Sequence, residues 1–174
     1  LATGAVTAVT TDGENNKIIN GAADWVYEEE FGDDHGFFWS PDGKQIAFYR
    51  FDESAVSEFT MTNYNEDLYP EYVTFKYPKV GEENSKVSIH IYDLQSKATK
   101  EVAQTGNEWE YFPRIKWTRT PGELCVFFMN RHQSKLELRL LDFSGNSRTL
   151  LQEESPYYID IHDNLYFLKD SEQF

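Results

Sequence analysis

Trp39-Ser40-Pro41-Asp42-Gly43-Lys44-Gln45-Ile46 places an aromatic residue, a Pro-Asp-Gly turn and an apolar residue seven positions beyond the aromatic. The same spacing returns in Trp117-Thr118-Arg119-Thr120-Pro121-Gly122-Glu123-Leu124 and, more weakly, in Phe167-Leu168-Lys169-Asp170-Ser171-Glu172-Gln173-Phe174. Turn formers between two β-prone ends make each copy the start of a β-hairpin. The three aromatics stand 78 and then 50 residues apart, against about 40–50 residues per unit in common propellers. The first unit therefore carries an insertion, which the polar, turn-rich stretch 61–86 supplies. The third copy stops within its hairpin, so residues 1–174 are expected to be consecutive blades of one larger β-propeller domain. Trp39 and Trp117 hold equivalent positions and are expected to be buried alike.

The surrounding sequence agrees with an all-β reading. Val87-Ser88-Ile89-His90-Ile91-Tyr92 and Leu136-Glu137-Leu138-Arg139-Leu140 alternate apolar and polar residues, the period of strands with one buried face. Further β-rich runs cover 5–10, 36–40, 45–51, 72–77, 124–130 and 164–168. Helical periodicity is nearly absent, which predicts blades of four-stranded antiparallel sheets.

Composition narrows the partners. The 174 residues include 30 acidic and 16 basic side chains, a formal charge of −14, and such a surface repels phosphate backbones and anionic membranes. Nucleic acid is not an expected partner. Hydrophobic residues make up 40% of the chain and aromatics 16%, enough for a packed core. No apolar run reaches the ~18–20 residues of a bilayer span, and no stretch reads as a signal peptide. Cys125 is the single cysteine and lies in a strand-like run, where it reads as a small buried apolar residue. His35, His90, His132 and His162 are scattered without the short spacings of a zinc cluster, so neither a metal nor another cofactor is expected.

One segment breaks the β pattern. In Asp24-Trp25-Val26-Tyr27-Glu28-Glu29-Glu30-Phe31, Asp24 is a suitable helix N-cap and acidic residues occupy the first turns. The plain reading is a solvated acidic helix with Trp25 and Phe31 turned into the core. The chemical reading is a carboxylate pair: two glutamates on a short rigid helix can converge on one ammonium group, such as an α-amino terminus.

This motif, followed by Trp39-Ser40-Pro41-Asp42-Gly43-Lys44 and Ile46-Ala47-Phe48, resembles the propeller of the dipeptidyl peptidase IV group in the prolyl oligopeptidase family. Phe51-Asp52-Glu53, Tyr77-Pro78-Lys79-Val80-Gly81-Glu82-Glu83-Asn84 and Asn130-Arg131-His132-Gln133 are similar to further segments of that group. The resemblance runs from about residue 17 to about residue 170. It implies an eight-bladed propeller capping a C-terminal α/β-hydrolase domain, with peptide substrates held in the cavity between. It also implies that Glu29 and Glu30 bind the free amino terminus of the substrate, with Glu28 in support. No catalytic residue is expected in this chain, because Gly145-Asn146-Ser147-Arg148-Thr149 lacks the second glycine of a nucleophile elbow. Arg131, in a hairpin, is expected to pair with an acidic neighbour.

The function implied is substrate recognition for a serine exopeptidase that removes N-terminal dipeptides with proline or alanine second. The fragment alone would be inactive, and the whole protein would be a homodimer of the bacterial periplasm or cell envelope. Two alternatives stand beside it: a prolyl tripeptidyl peptidase of the same family, and a non-catalytic propeller that binds proteins.

Overall fold

The computed structural model describes residues 4–65 and 67–168. In chain order its elements are β1 (Ile18–Asn20), α1 (Trp25–Phe31), β2 (Phe37–Trp39), β3 (Gln45–Asp52), β4 (Glu58–Asn63), β5 (Glu71–Lys76), β6 (Lys86–Asp93) and β7 (Ala98–Gln104). Then come β8 (Ile115–Trp117), β9 (Glu123–Met129), β10 (Lys135–Asp142) and β11 (Ser147–Glu154).

These strands form two antiparallel blades of a β-propeller. The first runs β1-β3-β6-β7, with β2 also paired to β3, and the second runs β8-β9-β10-β11. β1 pairs with residues 50–52 and β2 with residues 46–48 of β3, so the two short strands lie end to end along one edge. Five strands thus fill four positions. Between β3 and β6 stands a separate two-stranded sheet, β4 paired with β5.

Register decides what each face buries. Ala47, Tyr49 and Phe51 lie opposite Ile91, Ile89 and Val87, and all six point toward the second blade. There they meet Ile115, Trp117, Leu124, Val126 and Phe128 in one core. The alternate residues of the second blade, Cys125, Phe127 and Met129 opposite Leu140, Leu138 and Leu136, face away and are covered by Ile159 and Leu165. Burial pushes the Cys125 thiol up to about 12, so it stays a neutral apolar side chain.

The expected symmetry of the two tryptophans fails. Trp117 is 9% exposed, whereas Trp39 is 53% exposed. The cause is direction rather than misfit. Trp39 and Trp117 point to the same side of their own blades; Trp117 meets the first blade there, and Trp39, with Phe37 beside it, meets no sheet among the described residues. Two expected strands, 5–10 and 164–168, are not strands in the structure. Of the third repeat, Phe167 and Leu168 are not in a strand, and the rest lies outside the described residues.

Candidate functional site

Helix α1 forms where the sequence stops alternating. Asp24 caps it with extended backbone (φ −82°, ψ 178°), and its Oδ1 accepts the Tyr27 N–H at 2.9 Å. Gly32 ends it in the left-handed conformation (φ 61°) that a side chain would strain. Val26, Tyr27 and Phe31 are buried, while Glu28, Glu29 and Glu30 are exposed. Successive helical residues turn about 100° apart, so the three carboxylates fan out over the open side and adjacent pairs share a direction only in part.

The buried face of α1 is tied to both blades. Tyr27 meets Phe51 edge-on at 4.8 Å and Phe31 at 5.0 Å, and Phe31 meets Tyr111 at 5.3 Å. The Tyr27 hydroxyl accepts the Phe112 N–H at 2.8 Å, just before β8. The Ser85 hydroxyl, just before β6, donates to Asp24 Oδ2 at 2.6 Å. At the other end Arg114 donates to the Phe31 carbonyl at 2.9 Å. Polar anchors with buried partners specify orientation as well as contact.

The chain leaves and rejoins the first blade through a narrow neck. Gly21 N–H donates to the Tyr49 carbonyl at 2.9 Å, and Tyr49 N–H donates to the Gly36 carbonyl at 2.8 Å. A Cβ on Gly36 would lie 2.1 Å from the Ala22 nitrogen, so only glycine passes there.

Charge near the helix is arranged unevenly. Desolvation raises the Asp24 carboxyl above its usual range, opposed by the hydrogen bonds from Ser85 and Tyr27. Desolvation and then the charge of Asp24 raise Glu53, which is also buried. Desolvation raises the Tyr111 phenol, and Glu30 adds to this through its negative charge. Asn84 donates to the Tyr111 hydroxyl at 3.0 Å and to Glu110 at 2.8 Å. Arg131 pairs with the same Glu110 oxygen at 3.0 Å, as its hairpin position suggested. Past the helix end, an open cleft of about 650 Å³ lies beside β2 and β8 and is lined by Asp33, Trp39, Arg114 and Trp117. Among the described residues, no group of three or more His, Cys, Asp or Glu side chains is placed to hold a metal ion.

Comparison with known proteins decides the family. Residues 1–174 match the model of the dipeptidyl peptidase IV N-terminal region. The chain belongs to this family. It is 32% identical over 178 residues to dipeptidyl aminopeptidase B of Saccharomyces cerevisiae, covering 97% of this chain and 22% of that protein. It is 33% identical over 171 residues to venom dipeptidyl peptidase 4 of Apis mellifera, covering 91% of this chain and 22% of that protein. Among solved structures, Porphyromonas gingivalis dipeptidyl peptidase 4 superposes with a TM-score of 0.82 and 44% identity, over 87% of this chain and 22% of that one. The chain thus spans about a fifth of the length of the relatives it matches.

Within a dipeptidyl peptidase IV N-terminal region, the site has two parts of different legibility. The exposed glutamates and the Asp24 cap were readable from adjacent residues. Ser85, Phe112 and Arg114, which hold the helix, were not, since they lie 61, 85 and 83 positions from their partners. Pattern reading reaches one element at a time.

Proposed function

We propose that this chain is the substrate-recognition segment of a serine-type exopeptidase that removes N-terminal dipeptides, with proline or alanine in second place. Glu29 and Glu30 bind the ammonium group of the peptide, and Glu28 supports them. A C-terminal α/β-hydrolase domain of the whole protein supplies the nucleophile. Anchoring the amine at a fixed distance from that nucleophile limits cleavage to a short N-terminal unit.

The observation that carries this reading is a short helix with its apolar face fixed to two blades and its three glutamates exposed. A solvated helix needs no such fixation to serve as surface. The names of the relatives support the same reading, since they are dipeptidyl peptidases and aminopeptidases. The whole protein is further read as a homodimer of the bacterial envelope. The β4–β5 hairpin offers a contact surface, with exposed Tyr64, Leu68, Tyr69 and Tyr72 at and around its turn.

Kinetics of the full-length protein test the proposal. Each charge-assisted bond to the ammonium is worth about 1.5–3 kcal/mol, so Glu29→Gln or Glu30→Gln should lower kcat/KM on dipeptidyl substrates roughly ten- to two-hundredfold. Glu28→Gln should do much less, and N-acetylated peptides should be poor substrates throughout. Unchanged kcat/KM in both Glu29→Gln and Glu30→Gln would return α1 to a solvated face.

A further inference from the structure

Asp24 and Ser85 are 61 positions apart, yet their side chains meet at 2.6 Å in a site where Asp24 is 5% and Ser85 7% exposed. A buried carboxylate needs compensation, and this one accepts two hydrogen bonds with a division of labour. Its Oδ1 takes the Tyr27 N–H and starts the helix, whereas its Oδ2 takes the Ser85 hydroxyl and ties that start to the first residue before β6. The Tyr27 hydroxyl then reaches the second blade at the Phe112 N–H, 2.8 Å away. One turn of helix is therefore fixed at two points, one on each blade. Capping alone would ask only for the first of these bonds. Without the Ser85 bond the helix keeps its cap and its ties to Phe112 and Arg114, but its N-terminus loses its hydrogen bond to the first blade.

We infer that Asp24, through Ser85, is a positioning residue that sets the orientation of Glu29 and Glu30 toward the substrate amine. The inference rests on the proposed role of those two glutamates. Rotating a seven-residue helix about its cap moves side chains one turn away by more than it moves the cap itself. Misplacement of a binding group by about 1 Å can cost on the order of a hundredfold in rate. Asp24 thus acts at a distance from the substrate, by geometry, and touches no reacting atom.

The experiment uses the full-length protein and the ratio of kcat/KM for a free-amine dipeptidyl substrate to that for its N-acetylated form. A loss of folded enzyme lowers both rates equally and leaves the ratio unmoved, whereas a displaced amine site lowers only the first. Asp24→Ala should reduce the ratio about ten- to a hundredfold, mainly through KM, and Ser85→Ala should reduce it several-fold. Asp24→Asn should keep it within about threefold of wild type, because the amide oxygen can still cap Tyr27 and the amide nitrogen can donate to Ser85 Oγ. If Asp24→Ala does not fold, Ser85→Ala decides, since it keeps the cap. An unmoved ratio in Ser85→Ala and in folded Asp24→Ala overturns the inference, provided Glu29→Gln and Glu30→Gln do lower it. If those two leave the ratio intact, the amine-binding reading fails first and this one falls with it.

Discussion

Trp117 donates its indole N–H to the Phe38 carbonyl at 2.9 Å, so a side chain of the second blade satisfies the backbone of the first blade's β2. The ring itself is buried in the core between the blades. Trp117→Ala in the full-length protein should cost about 3–5 kcal/mol by urea denaturation, and Trp117→Phe should recover most but not all of it. A loss under about 1 kcal/mol for the alanine variant would contradict the packing described.

The neck at Tyr49 makes a sharper prediction. Gly36→Ala forces a methyl group against the Ala22 backbone, where no flexible side chain can yield. Destabilisation of at least ~2 kcal/mol is expected, because both strand-like hydrogen bonds of Tyr49 must shift. Gly13→Ala, also off the left-handed region and with a Cβ meeting only ordinary contacts at 3.9–4.0 Å, serves as the control for glycine replacement. Equal stability of the two variants would argue against a closed neck.

Glu53 is buried beside the charge of Asp24, and its carboxyl is raised by desolvation first and by Asp24 second. A carboxyl raised in the folded state contributes stability that is fully present below its unfolded value and is lost as pH rises through the folded value. Wild type should thus lose ground to Glu53→Gln on going from pH 4 to pH 7. Thermal melts at both values check the sign: Tm of Glu53→Gln minus Tm of wild type should be more positive at pH 7.

Glu137 behaves in the opposite sense. It is buried, bonded to Arg139 at 2.7 Å and to the Thr149 hydroxyl, and Arg139 is the first cause holding its carboxyl below the usual range. The guanidinium in turn lies 4.3 Å over the Phe128 ring. Arg139→Met should cost roughly 3–5 kcal/mol at pH 7, because it strands a buried charge. Stability from a lowered carboxyl is present above its unfolded value and lost as pH falls through the folded value. The difference between wild type and Arg139→Met should therefore shrink toward pH 3, and a constant difference in denaturation midpoints would exclude the pairing as its source.

Legibility of the fold followed the range of the interactions concerned. Of the blade strands, β6 and β10 were readable because alternation is written in neighbours two apart, and β3 and β9 because they are β-rich apolar runs bounded by turn residues. So was α1, whose cap and glutamates lie within seven residues. Trp39 was misjudged because its spacing reports which way it points but not whether another sheet stands there. The runs 5–10 and 164–168 have β-prone composition but are not strands, since composition alone does not set where a strand forms. The ties of α1 to Ser85, Phe112 and Arg114 depend on how β6 and β8 are brought beside it, which no local pattern encodes.

The interrupted edge strand of the first blade bears on how such a protein can be changed. Asn20 and Phe37 both keep their places on β3, and everything between them is looped out past Tyr49. The excursion is thus a cassette whose ends are set by β3: a transplanted segment that keeps Gly21, Gly36 and the core-facing residues of α1 leaves the strand register on either side in place. Its inner face is not free to vary, because Tyr27 and Phe31 fill the core between the blades and Asp24 is held by Ser85, so variation is tolerated on the open side of the helix and not at those positions.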